Sequence, residues 1–437
     1  VIRQRHAPPP AYRWIPKLDD IWGRNWVPHV SLATRVEDAE RRRLELDEQQ
    51  FRLLDSVMDN PRALVDGPAG SGKTVVAREL CAREARMGKR VLYLCFADAL
   101  AHVVDRSFEG LRRGGLDVHA APVQRLAREW RASRGATLPP QPDELWTDVS
   151  FRAALDALPG AAQRPDCVIV DEAQDLTESD WTLIEELTRD RMLWAFRDRR
   201  QNFWPERTVP ARLFEGAMHF RLPTQHRNPK PVEWLSSRYR QELGSMPPPG
   251  AEATSADGPP PLGDALGLIV AEPGQDVLEL ARHQINLLRR DGARPEHIAV
   301  LSLGGRSRSR LFERTHLGDH ELRRADQDDD AQYVVADTFL RFKGLDRPIV
   351  ILLELELGHG DGYATRMHIA TTRPTVKLLV LCTARELDYD QRLQLIDERQ
   401  RQERTQGEGS APAPPPITPH RAPARPPPER GRGFRRR

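Results

Sequence analysis

The stretch Gly67-Pro68-Ala69-Gly70-Ser71-Gly72-Lys73-Thr74 follows the apolar run Ala63-Leu64-Val65 and opens a segment with helical patterning, and that order decides the fold. Its glycines let the backbone curl so that successive N–H groups converge on one point, and a helix starting there adds the positive end of its dipole. Such a nest suits a phosphate chain. Lys73 is placed to reach the β- and γ-phosphates as a point charge, while the Thr74 hydroxyl is placed to ligate Mg²⁺. The pattern G-x-x-x-x-G-K-[ST] between a strand and a helix predicts a nucleoside triphosphate site, with ATP and Mg²⁺ as cofactors.

Outward from this loop, short apolar runs at 91–96, 166–170 and 192–196 alternate with charged, helically patterned segments. Strand, helix, strand in that order implies a doubly wound parallel sheet. The Pro/Gly-rich stretch 246–263 then interrupts the chain as a surface loop. Beyond it the pattern resumes with strands at 266–272, 297–303, 333–339, 349–355 and 376–384 and a helix over 275–290, a second α/β set. Residues 1–45 carry Trp14, Trp22 and Trp26 without sustained periodicity and read as an irregular extension. Residues 403–437 are rich in proline and arginine with little to bury and read as a disordered tail. Its closing arginines serve either as a salt-sensitive tether for phosphates or as a solubilising end.

The run Cys167-Val-Ile-Val170 ends in Asp171-Glu172, which delivers two carboxylates to the carboxyl end of a buried strand, where ligands bind in parallel sheets. Asp171 is positioned to hold Mg²⁺ through water, and Glu172 either to orient or to deprotonate the attacking water.

Composition narrows the class. The chain has 437 residues, 39% of them hydrophobic, and no run of about 18 apolar residues that would predict a membrane helix. A net charge of +2 carries no global field, so a nucleic-acid partner has to be argued from local motifs. Only six lysines stand among 66 basic residues, and two of them, Lys73 and Lys343, fall inside motifs. Cys81, Cys95, Cys167 and Cys382 lack metal-ligand spacing and read as buried thiols, which with the absence of a leader gives a cytoplasmic expectation. The first residue, Val1, fits a fragment or an alternative start codon.

With the phosphate loop, Asp171-Glu172-Ala-Gln-Asp175 and the motifs that follow in order to Leu381, the chain resembles the UvrD/Rep-type superfamily 1 helicases, particularly the compact modules found with nuclease-related domains. The resemblance implies an α/β fold of two RecA-like lobes, residues 46–218 with a small insertion at 102–165 and residues 219–402. It also implies ATP-driven translocation on single-stranded DNA, or on duplex with a single-stranded tail, in the 3′ to 5′ direction. On this resemblance Gln50, with Gln49 as the alternative, reads adenine; His226 stands where a tyrosine stacks on the base. Gln201 senses the γ-phosphate, and Arg227 and Arg373 reach it from the second lobe as arginine fingers. Gly344 and Asp346 approach the nucleotide, and Phe96, Trp204, Thr338 and Arg341 face nucleic acid. The chain departs from the family at Ala97, Gln124, Arg197 and Leu340. The intervals that carry accessory domains in larger relatives are short here, and the stretch 323–332 reads as a solvated loop. Competing readings are a nucleotide-dependent ATPase switch acting on a protein partner, and a translocase on RNA.

Overall fold

The computed structural model describes residues 31–55, 60–135, 152–153, 158–160, 163–222, 228–242, 258–327, 332–357 and 362–408. It is an α/β structure with the P-loop NTPase fold, carrying two parallel-strand sheets. The first holds β1 (Arg62–Asp66), β2 (Val91–Cys95), β3 (Val118–Pro122), β4 (Cys167–Val170), β5 (Met192–Arg197) and β6 (Met218–Arg221). Their order is β3-β2-β4-β5-β1-β6, with every pairing parallel. Strands buried on both faces need apolar runs rather than alternation, which is why β2 and β4 are buried at every position. The helix Lys73–Arg86 buries Val76, Ala77, Leu80, Cys81 and Ala85, a stripe at helical spacing that seats it on the sheet.

One consequence of this order governs the site. β5 lies between β1, which leads into the phosphate loop, and β4, which ends in Asp171-Glu172, with Leu64 opposite Ala195 and Val168 opposite Leu193. Whatever follows β5 therefore emerges between the phosphate loop and the two carboxylates.

The second sheet holds β7 (Leu266–Ala271), β8 (Ile298–Ser302), β9 (His316–Leu317), β10 (His320–Arg323), β11 (Val334–Thr338), β12 (Arg347–Leu353) and β13 (Pro374–Thr383), in the order β7-β13-β12-β8-β11-β10-β9. Among the described residues its pairings are parallel except β9–β10, which is antiparallel. The edge of β7 is covered by the helix Gln391–Glu408: the Gln400 side chain accepts from Leu268 N at 2.9 Å and donates to Leu268 O at 3.0 Å, doing for the strand what a neighbouring backbone would do. A single buried cluster runs from Val65, Tyr93 and Ile169 through Leu222 and Phe339 to Leu301 and Leu352, so the two sheets meet across continuous apolar packing.

Several expectations differ from this picture. The helix Leu32–Asp55 begins inside the stretch read as an irregular extension, because Leu32, Val36 and Ala39 find an apolar surface far away in sequence. The interval 102–165 opens with core structure, since β3 forms an edge of the first sheet. The strand β6 runs on to Arg221, past the boundary drawn at 218. Of the stretch 323–332 read as a solvated loop, Arg323 ends β10 and Ala325–Gln327 form a helical turn, and residues 403–408 are helix rather than disordered tail, ordered by Glu403 accepting from Leu262 N at 2.8 Å. The rest of the tail, residues 1–30 and most of the loop 246–263 lie outside the described residues.

Candidate nucleotide site and adjoining groove

β1 hands the chain to the phosphate loop at Gly67, whose N–H donates to Arg197 O at 3.0 Å. Gly70 and Gly72 sit at φ 73° and 80°, a left-handed region that side chains strain to reach. A Cβ on Gly67 would lie 2.4 Å from Ser71 Oγ and 3.0 Å from Lys73 Cγ, so any side chain there displaces the buried Ser71 hydroxyl. Lys73, the first residue of its helix, is 6% exposed. Its ammonium donates to Gly67 O at 2.9 Å and Pro68 O at 3.1 Å and lies 3.9 Å from Asp198 Oδ2.

Across from the loop, Thr74 Oγ1 and Tyr93 OH each donate to Asp171 Oδ2 at 2.7 Å. Burial pushes the Asp171 carboxyl up, and the charge of Glu172 adds to the rise. A buried carboxylate beside a threonine hydroxyl is a hard-oxygen donor pair, the chemistry that Mg²⁺ takes. Burial also pushes Glu172 up, but Lys343, Lys73 and Arg373 more than offset it and hold the carboxylate below its ordinary range. Glu172 is thus held toward its charged form. Gln174 fixes it, donating to Glu172 Oε2 at 2.6 Å while accepting from Asp198 N at 3.0 Å.

From the second sheet come Arg373 and Lys343. Arg373, 6% exposed, donates to Leu345 O at 3.2 Å and Gln201 Oε1 at 3.2 Å. Lys343, 2% exposed, donates to Asp175 at 2.6 and 2.7 Å and to Gln201 O at 2.7 Å, and stands 3.7 Å from Glu172. Gln201 is therefore gripped at both of its oxygens by the other sheet. Its buried Nε2 has no acceptor among the described residues. It borders a cavity of about 170 Å³ lined also by the phosphate loop, Glu172, Gly344, Asp346 and Arg373. A buried donor of this kind, aimed into a cavity with the loop's nest, Lys73 and Arg373, fits the oxygens of a terminal phosphate.

Three residues after Gln201 the same loop presents Trp204 to a second space, a groove of about 680 Å³. Phe96 and Trp204 meet there edge to face at 5.0 Å, and the Arg207 guanidinium lies 3.7 Å from the centre of the Trp204 ring. Arg125, Arg128 and Arg341 also line it, with Asp98 and Glu129 as the acidic members. Arg341 pairs with Asp326 at 2.8 Å and Asp337 at 3.1 Å.

The structure thus brings Gly70, Gly72, Lys73, Thr74, Glu172, Gln201, Gly344, Asp346 and Arg373 to one cavity, with Asp171 bonded to Thr74, and Phe96, Trp204 and Arg341 to one groove. Thr338 is placed elsewhere: it is 5% exposed and its Oγ1 accepts from Arg341 N at 3.2 Å. Gln49 and Gln50 lie in the helix Leu32–Asp55 with side chains outside the described residues, as do His226 and Arg227 altogether. Sequence reading gave no role to Lys343, Asp175 or Arg207. Their signal was present for the first two, one a rare lysine, the other the last acid of the acidic motif; Arg207 had none.

Residues 42–196 match the AAA ATPase domain. No curated protein matches the chain. Among solved structures the chain is similar to the helicase of PRRSV, at 14% identity and a TM-score of 0.36, covering 76% of this chain and 55% of that one. It is also similar to arterivirus nonstructural protein 10, a helicase, at 13% identity and a TM-score of 0.34, covering 76% and 61%. The chain spans less than two thirds of the length of either.

Proposed function

We propose that the protein is an ATP-driven motor on single-stranded nucleic acid, of the UvrD/Rep type, moving 3′ to 5′ on DNA. The observation that carries this reading is the loop after β5: Gln201 borders the phosphate cavity while Trp204 borders the aromatic groove, so a change at one is felt at the other.

In this reading the loop amides and Lys73 hold the β- and γ-phosphates of ATP, and Thr74 and Asp171 hold Mg²⁺, which neutralises phosphate charge. Glu172 orients the attacking water and takes its proton. Gln201 Nε2 and the Arg373 guanidinium meet the charge that spreads over the equatorial oxygens during transfer, a planar fork matched to those oxygens. Because Arg373 arrives from the second sheet, hydrolysis requires the two sheets to be closed on each other. Phe96 and Trp204 offer stacking platforms to successive bases, and Arg125, Arg128 and Arg341 attract the phosphate backbone.

ATPase activity is measured alone, with single-stranded DNA and with a matched RNA, followed by strand displacement from tails of either polarity. The motor reading expects stimulation by DNA of about tenfold or more, a change of about 1.4 kcal/mol in barrier. Equal rates with and without any strand would refute it in favour of a switch acting on a protein partner. A preference for RNA would move the track, and displacement from the opposite tail would reverse the direction.

A further inference from the structure

The helix Leu32–Asp55 belongs by sequence to the first sheet, which it precedes, yet its opening turns are built into the second. Leu32 and Val36, one turn apart and each 1% exposed, pack into the cluster of Ala271, Ala293 and Val376. Arg35 donates to Val376 O at 3.4 Å and pairs with Asp264 at 3.7 Å. Ala33 sits so close to Gly292 that a Cβ there would lie 3.3 Å from its methyl. At the far end Leu54 is 2% exposed, and the helix rests on Lys73–Arg86, the helix that begins with the phosphate-loop lysine. Residues 32–39 lie outside every motif that explains the nucleotide site.

We propose that the first two turns of the helix Leu32–Asp55 are a strap that positions the second sheet, and with it Arg373, over the phosphate loop. The inference rests on the reading that Arg373 completes the hydrolytic site. Twenty-four helical residues span about 36 Å, and a continuous hydrogen-bonded helix of that length carries a displacement at one end to the other. In chain order the strands of the first sheet, β1 to β6, all precede those of the second, so among the described residues this helix is a link additional to the one that follows β6. A second, rigid connection adds to the packing between the sheets and limits how far they open. Leu32, Arg35 and Val36 are positioning residues in this scheme: they touch no substrate and act through the placement of Arg373.

The test uses the full chain. A short glycine linker inserted after the exposed Arg42 lets both ends stay packed while removing the stiffness between them. Val36→Asp removes the packing at one end, and Val36→Ile keeps it. Probes at the exposed positions Arg113→Cys and Arg290→Cys report the distance between the sheets, since Cys81, Cys95, Cys167 and Cys382 are buried. The strap predicts that the linker variant binds ADP as the parent does, because the phosphate loop is untouched. Its strand-stimulated kcat falls by about tenfold, as small misplacements of a catalytic group cost at least this much. Its distance distribution broadens, whereas Val36→Ile alone keeps both parental values. A linker variant with parental distances and parental kcat overturns the proposal, whatever Val36→Asp does to folding. If the parent shows no stimulation by any strand, the motor reading fails, and the distance measurement still decides for or against the strap.

Discussion

Lys343 and Asp175 form a buried ion pair between the two sheets, with Glu172 3.7 Å from the same ammonium. Burial pushes the Asp175 carboxyl up to about 6, against the pull of Lys343 and with the charge of Glu172 adding to the rise. Below that pH Asp175 takes a proton, which leaves Glu172 as the charged carboxylate beside Lys343. The strand-stimulated kcat is expected to fall on its acid side with a midpoint near pH 6, and Asp175→Asn to be low and flat over the same range. Stability runs the other way. The folded pKa lies above the unfolded value of about 3.9, so the folded state holds the extra proton, and this group's contribution declines as pH rises from about 4 to 6. A parental pH profile without an acid limb near 6 contradicts the assignment. Gly344 offers a second test at this scale. It adopts φ 83°, and a Cβ there would come 2.6 Å from Leu100 Cδ2 of the first sheet's helix Asp98–Ser107. Leu100 can swing its methyl aside, but the backbone strain stays. Gly344→Ala is expected to lose about 1–2 kcal/mol in denaturant melts and to raise the KM for ATP, an effect that Leu100→Ala relieves only in part.

At the scale of elements, the segment joining β5 to β6 does the connecting. Asp198 accepts from Arg200 N at 3.0 Å and starts the short turn Arg199–Gln201, which sets Gln201 into the cavity; Asn202 then accepts from Trp204 N at 3.0 Å and turns the indole toward the groove. Trp204→Ala should weaken single-strand binding by about 1–3 kcal/mol in fluorescence titrations while leaving ADP affinity at its parental value. Unchanged strand binding would return Trp204 to a packing role, beside Phe203 at 5.0 Å and Phe96 at the same separation. Nine strands were legible in sequence because each is built on an apolar run, and β2, β4, β8 and β11 are buried at every position. The strands β3, β6, β9 and β10 were not. His119 in β3 is exposed, β6 has no fully buried residue, and β9 and β10 together bury only Leu317, so their composition carries little periodic signal.

For the molecule as a whole, the claim is that hydrolysis needs both sheets at once. If the proposed motor reading holds, Lys73→Ala should abolish turnover and weaken nucleotide binding together, because the ammonium lies within the loop itself. Arg373→Ala should bind ATP as the parent does and lose turnover by about 10³-fold or more, the scale of a missing arginine finger. Retained turnover in the arginine variant would mean that the second sheet does not complete the site. Among the described residues no helix is long and apolar enough to cross a membrane.

Short-range chemistry fixed what the residues alone could show: a phosphate loop, because Gly70 and Gly72 take left-handed backbone that side chains strain to reach, and Asp171-Glu172 at a strand end, because the apolar run before them must be buried. Tertiary structure alone decided which distant groups share a cavity. That Lys343 reaches Asp175, that Gln201 is held by Arg373, that Thr338 is turned inward and that the helix Leu32–Asp55 ties itself to β13 follow from how two sheets pack. Packing sums many weak apolar contacts between residues far apart in the chain, and no local pattern encodes which of them meet.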